Sequence, residues 1–296
     1  MKSNLLIRSL TGIVFVLVLV GCILFGPQTF IVLFSVITAM TTWEFCTILN
    51  RYAGLRINRF VTSVSAIYLF FAIFAFNLSA VDSSIFVPYL LLLLYTLVSE
   101  LYKNHPRDTE NIAFTMMAQL YVALPFSLLN ILAFVVVPKN ELGIYPSHPI
   151  TYTWVFILSI FIFLWMSDTG AYCVGSLMGK HRLFPRISPK KSWEGSIGGG
   201  IAALIASQVI ACFSHDFQAD SELINRLAWS GLSIVVVVFG TWGDLVESLL
   251  KRRLGIKDSG NILPGHGGML DRFDSSLLAI PAAVIYVVCI NNHLTF

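Results

Sequence analysis

Charge is scarce in this chain: only 12% of its 296 residues are Asp, Glu, Lys or Arg. Soluble domains carry about 25%, so a large soluble globular fold is excluded as the main architecture. Net charge is +3, which argues against a nucleic-acid-binding protein. Five cysteines (Cys22, Cys46, Cys173, Cys212, Cys289) are scattered through apolar runs with no CxxC spacing. That pattern excludes a disulfide framework and a cysteine zinc site. No repeat, low-complexity tract or separate soluble domain is discernible. A P-loop is missing too: "GSLMGKH" (175–181) lacks the four residues between glycines and the Ser or Thr after lysine.

What the chain has is apolar length: 56% hydrophobic residues and a mean hydropathy of +0.79. A bilayer core of about 30 Å needs about 20 mostly apolar helical residues. Runs near this length fall at 8–26, 28–49, 60–81, 84–102, 111–138, 150–172, 195–214, 227–250 and 275–291. The fold class expected is therefore all-α, a polytopic integral membrane protein of about nine helices. The fifth run has Pro125 in its middle and is expected to be kinked or tilted; were it two short helices, the topology would fail. "LVGC" ending at Cys22 resembles a lipoprotein signal, but the apolar run continues past it and a first membrane helix is the better reading.

The basic residues test the count. With nine spans, seventeen of the nineteen Lys and Arg fall on the side of the N-terminus, leaving Lys139 and Arg226 opposite. The positive-inside rule then puts the N-terminus and all the charged loops in the cytoplasm and the C-terminus outside. A bacterial inner membrane is the expected location. Residues 1–138 hold about five spans with short loops. Residues 139–296 carry two long cytoplasmic loops, 173–194 and 251–274, both beside acid-bearing helix ends, and form the expected catalytic region.

In "FGTWGDLVESLLKR" (239–252), Asp244, Glu247, Ser248 and Lys251 share one helical face. An acid at mid-span costs about 2.5–3.5 kcal/mol on insertion scales, so such residues are expected to face a polar cavity or a metal ion. For Glu247, an ordinary surface pair with Lys251 is an equal alternative. The next stretch, "KRRLGIKDSGNILPGHGGMLDRFD" (251–274), packs five basic residues, three aspartates and five glycines into 24 positions. Lys251, Arg252, Arg253, Lys257 and Arg272 are phosphate-type ligands. The glycines, Gly267 and Gly268 among them, would let backbone N–H groups approach an anion. Asp271 and Asp274, at i and i+3, are expected on one helix face, converging with Asp244. Carboxylates beside phosphate-binding cations are how magnesium is held in phosphoryl and nucleotidyl transfer.

Residues 248–274 match, at all 27 positions, the signature of the phosphatidate cytidylyltransferase (CDP-diacylglycerol synthase) family, which they closely resemble. "SDTGAYCVGSLMGKHRLFPRISPKKSWEGSIGGG" (167–200) is similar to the family's other shared segment; the first half agrees in hydropathy and in a Trp43-Glu44 pair. The upstream segment also reads physically. Asp168 is another acid at a span's end. Gly170, Gly175 and Gly179 suggest a loose helix exit. Lys190 and Lys191 stand beside Ser188, Ser192 and Glu194, with Ser192 suited to cap span seven; a solvated basic loop is the bland alternative. The triple glycine 198–200 suits close helix packing.

The resemblance implies transfer of a cytidylyl group from CTP to phosphatidate. CTP, phosphatidate and membrane lipid are the expected partners, with no nucleic acid; a homodimer is possible. Mg2+ is the expected cofactor, and a second cation is possible. Asp244 and Asp271 are expected as metal ligands, with Asp168, Glu247 and Asp274 behind them. Lys251, Arg252, Lys257, His266, Asp271 and Arg272 are the expected catalytic residues. Ser188, Lys190, Lys191, Ser192, Glu194, Gly267 and Gly268 are expected to bind substrate. Two rivals are a CTP-dependent lipid kinase and a cation transporter using Glu44, Asp168 and Asp244. The full signature argues against the first, and the clustering of acids at one face against the second. Glu44 otherwise reads either as lining the cavity or as sitting near the interface.

Overall fold

The computed structural model describes residues 2–78, 81–103, 106–136, 150–214, 216–217, 221–260, 262 and 267–290; His266 lies outside them. The helices are α1 (Lys2–Phe25), α2 (Pro27–Tyr52), α3 (Arg59–Asn77), α4 (Val87–Leu101), α5 (Asp108–Met117), α6 (Leu124–Ala133), α7 (Val155–Met178), α8 (Trp193–Phe213), α9 (Glu222–Arg253), α10 (Leu270–Phe273) and α11 (Ser276–Ile290). Four short strands are β1 (Phe134–Val136), β2 (Ile150–Tyr152), β3 (Arg182–Phe184) and β4 (Ser188–Ser192). Among the described residues, eight helical segments are long and apolar enough to cross a membrane, and Leu10–Phe25 is a shorter apolar helix. Together they account for the nine expected spans. The fifth is one continuous 26-residue segment, Asp108–Ala133. Pro125 causes no break: it falls in the first turn of α6, directly after a π-helical turn, Ala118–Ala123.

The chain divides into two compact units, residues 1–134 with 253–273, and residues 135–252 with 274–296. In the first unit, α2 begins at Pro27, which suits a first helical turn. Its core is aromatic: Phe30, Phe34, Phe45, Phe70 and Phe126 are fully buried. Phe273, at the end of the glycine-rich stretch, joins them, edge-on to Phe126 at 5.3 Å between ring centroids. A polar ladder runs along α5 into the π-helical turn that follows it, where Asn111, Thr115 and Gln119 are buried at four-residue spacing. Asn111 donates to Glu100 Oε2 at 3.1 Å and accepts from Arg56 N at 3.0 Å. Gln119 donates to the Thr62 carbonyl at 2.8 Å. In lipid, such internal partners replace water for buried polar groups.

In the second unit, α7 and α8 meet along small residues. Gly195, Gly199, Ala203, Ser207 and Ala211 form the buried face of α8. A Cβ at Gly170 would lie 2.8 Å from the Gly198 carbonyl oxygen, and one at Gly195 2.9 Å from that of Ala171. The triple glycine therefore serves packing, as expected, through Gly198 and Gly199; Gly200 faces open space. Gly170 and Gly175, by contrast, do not loosen the end of α7. They lie inside a helix that runs to Met178, because the contact with α8 needs glycine there. Likewise α9 stays helical through Lys251–Arg253.

Candidate functional site

Between α7 and α8 the chain forms a β-hairpin: β3 pairs antiparallel with β4, Arg182 opposite Ser192 and Phe184 opposite Ser188. Nothing in "SPKK" marks a strand; the pairing is secured instead by Glu194. Its carboxylate accepts from the backbone N–H groups of Lys180 (3.2 Å) and His181 (3.1 Å) and contacts His181 Nδ1 at 2.6 Å. Ser192 caps α8, accepting from Gly195 N at 3.2 Å, as its place in the sequence predicts. Glu194 is thus engaged with the hairpin backbone, and Ser192 with the helix it caps.

The hairpin, α7, α8 and Thr241 of α9 line a half-open pocket of about 530 Å³, within the range of small-molecule sites. Three cations line it, Arg182, Lys190 and Lys191, together with Asp168, Tyr172, Ser176, Ser192, Ser196 and Thr241. Ser188 is half-buried on β4 beside them. Arg182 was not singled out by sequence; its pairing with β4 is what brings it to the pocket. Asp168 is within electrostatic reach of Lys191 and of Asp244.

Lys191 ties this pocket to a group of acids, since its ammonium pairs with Asp244. Among the described residues, Asp244, Glu247 and Asp274 bring one carboxylate oxygen each within 4.8 Å of one another. Asp244 and Glu247 lie one turn apart on α9. Gly243 admits the third acid: a Cβ there would lie 2.6 Å from the Asp274 carbonyl oxygen and 2.9 Å from that of Ser275. Ser248 donates to Asp244 Oδ1 at 3.4 Å, Lys251 pairs with the fully buried Glu247, and Ser275 N donates to Asp274 at 2.6 Å. Arg252, next along the helix, is exposed.

Asp271 and Asp274 do not share a helix face. α10 ends at Phe273 and the chain turns at Asp274–Ser275 before α11. Asp271 lies in the first unit. Its Oδ2 accepts from Ser259 N (2.8 Å), Ser259 Oγ (2.9 Å) and Gly268 N (2.9 Å). Glu44 meets the same backbone, accepting from Met269 N at 2.8 Å, and shares the single hydroxyl proton of Ser259 with Asp271. Gly267 has φ +83°, a conformation natural to glycine, and the Gly268 N–H is taken by Asp271. Lys257 and Arg272, on either side of this arrangement, are exposed.

The donors of the triad are all carboxylate oxygens, the set preferred by hard cations such as Mg2+. In octahedral magnesium, adjacent ligand oxygens stand about 3 Å apart and opposite ones about 4.2 Å, so these acids would draw closer together to ligate one ion. Two lysines pair with acids of this triad, so the three carboxylates already stand in a field of positive charge.

Helices long and apolar enough to span a membrane, a cationic pocket and a carboxylate group joined to it through a lysine suit phosphate chemistry at a bilayer. Comparison with known proteins specifies the class further. Residues 6–290 match the model of the cytidylyltransferase family. Over 284 residues the chain is 34% identical to the phosphatidate cytidylyltransferase of Staphylococcus haemolyticus, covering 95% of this chain and 98% of that protein. The Haemophilus influenzae protein of the same name is 33% identical over 286 residues, covering 93% and 95% of the two chains. A Staphylococcus saprophyticus phosphatidate cytidylyltransferase reaches 49% identity over 135 residues, 45% of this chain and 49% of its own length. The chain belongs to the cytidylyltransferase family.

Proposed function

We propose that this chain transfers the cytidylyl group of CTP to phosphatidate, giving CDP-diacylglycerol and pyrophosphate. Relatives named for that activity align along nearly the whole chain. The structural observation that carries the reading is Lys191, which lines the pocket and pairs with Asp244 of the acid triad. An oxygen of the lipid phosphate attacks the α-phosphorus of CTP, the new P–O bond forms, and the bond to the β-phosphate oxygen breaks. The nucleophile is already anionic at neutral pH, so no strong general base is needed. The pocket offers no His–Asp dyad among its lining residues, consistent with that chemistry.

Arg182, Lys190 and Lys191 hold the phosphates by charge-assisted hydrogen bonds, and Lys251 and Arg252 extend the same positive field. Lys257, Arg272 and His266 keep their assignment to the reaction on the strength of the signature. Asp244, Glu247 and Asp274 would hold Mg2+, with Asp168 beside them, and such an ion would supply positive charge to offset the negative charge developing on the phosphates. Asp271, assigned by sequence to the same ion, is assigned here to loop structure first. The distribution of Lys and Arg supports a cytoplasmic N-terminus and cytoplasmic loops in a bacterial inner membrane. A homodimer is the simplest assembly for such a protein.

The test uses purified protein in detergent with phosphatidate, Mg2+ and CTP labelled separately at the α- and γ-phosphates. Incorporation of α-label into a lipid liponucleotide, with release of pyrophosphate, is the expected result. Appearance of γ-label on an added lipid alcohol would replace this reading with that of a kinase.

A further inference from the structure

Glu44 comes from α2, more than two hundred residues before the stretch it touches, and it is only 4% exposed. A buried carboxylate is retained only where hydrogen bonds replace its water. Here the donors are Ser259 Oγ and Met269 N. Asp271 grips the same two backbone segments, through Ser259 N, Ser259 Oγ and Gly268 N. Two carboxylates thus pin residue 259 to residues 268–269. The glycines of the stretch fit around them: a Cβ at Gly260 would lie 3.1 Å from Glu44 Cδ and one at Gly267 2.6 Å from Asp271 Oδ2, while one at Gly268 would overlap both Glu44 Oε1 and Ser259 Oγ. Glycine at 268 is therefore required by the packing of Glu44, and a side chain at 260 would press against it. Lys257 stands two residues before this clasp and Arg272 directly after Asp271.

We propose that Glu44 is a positioning residue of the transferase, contributed by the N-terminal helices, which holds the segment bearing Lys257 and Arg272 in its working conformation. This rests on the cytidylyl-transfer reading above. Glu44 would act through hydrogen bonds to the loop, without touching substrate. The hydroxyl of Ser259 has one proton for two carboxylate acceptors, so Glu44→Gln preserves the clasp. The carboxamide oxygen accepts from Met269 N, its NH2 donates to Ser259 Oγ, and the hydroxyl proton serves Asp271. Glu44→Ala removes both bonds and leaves the Met269 N–H buried without a partner, a penalty that loosens the segment.

Amide hydrogen exchange of the segment 256–272 in detergent, without substrate, is measured beside steady-state kinetics for wild type, Glu44→Ala and Glu44→Gln. In Glu44→Ala the Met269 amide should exchange about tenfold faster or more, and kcat should fall on the order of tenfold or more. In Glu44→Gln both should stay within about threefold of wild type. Unchanged exchange in Glu44→Ala would overturn the proposal. So would a Glu44→Gln enzyme as impaired as Glu44→Ala, because the carboxylate would then be acting by its charge on substrate or ion. Should Glu44→Ala not fold, Ser259→Ala removes the single hydroxyl donor that the two carboxylates share and is expected to give smaller changes in the same two readouts; no change in either would count against the clasp. If wild type shows no cytidylyl transfer, that reading fails while the exchange data still decide the clasp.

Discussion

Gly243→Ala perturbs the acid triad without altering any of its ligands. A Cβ at this position would lie 2.6 Å from the Asp274 carbonyl oxygen, 2.9 Å from that of Ser275 and 3.1 Å from Ser275 Cα. All three are backbone atoms, so no side chain can swing aside, and the Asp274–Ser275 segment must retreat on the order of half an ångström. Overpacking of this kind costs about 1–3 kcal/mol in stability. The larger consequence is catalytic. Asp274 moves away from Asp244 and Glu247, opening a cage whose oxygens already stand up to 4.8 Å apart. Misplacement by about 1 Å can cost about a hundredfold in rate, so Gly243→Ala should lose roughly tenfold to a hundredfold in kcat/KM at limiting Mg2+, with part of the loss recovered at high Mg2+. The control is Gly200→Ala, on α8, where a Cβ meets nothing within 4 Å; activity should stay at wild type and the helix should gain about 0.5–1 kcal/mol. The assay is CDP-diacylglycerol formation titrated with Mg2+ on folded, monodisperse protein. A Gly243→Ala enzyme with wild-type rate and wild-type Mg2+ dependence would refute the reasoning.

Other outcomes follow from the same geometry. Lys191→Ala removes the cation shared by pocket and triad and should raise the KM for CTP about tenfold or more, read from initial rates. Glu194→Ala releases the backbone of Lys180 and His181 and should speed tryptic cleavage after Arg182 and Arg186, followed by mass spectrometry. Phe273→Ala empties an aromatic contact at the first unit's core. It should destabilise by about 3–5 kcal/mol, seen as a lower thermal midpoint in detergent.

Much of this was legible in residue order. Apolar run length gave the spans, because in a bilayer hydropathy and helix length are fixed by one thickness. The i, i+3, i+7 spacing of Asp244, Glu247 and Lys251 places them on one face of α9, and the ion pair between Glu247 and Lys251 follows from it. The same periodicity misleads for Asp271 and Asp274, because α10 is only four residues long and a chain turn separates them. The hairpin of β3 and β4 was invisible, since its register depends on Glu194 reaching back to Lys180 and His181 rather than on alternating side chains. Glu44 gave a partial signal: an acid within a span had to have polar partners. Nothing local could say that they lay at Ser259 and Met269. Residues 253–273, grouped by sequence with the second half, cluster in space with the N-terminal helices, and the bonds of Glu44 and the ring contact of Phe273 are part of why.

The claim most exposed to test is that Asp244, Glu247 and Asp274 form a divalent-cation site. Mn2+ binding, followed by electron paramagnetic resonance on purified protein without substrate, measures it directly. The account predicts a site in wild type whose affinity drops about tenfold or more in Asp244→Asn, Glu247→Gln and Asp274→Asn, and is unchanged in Glu222→Gln, where the side chain pairs with Arg226 at 2.6 Å. Equal Mn2+ affinity in all five proteins would contradict it.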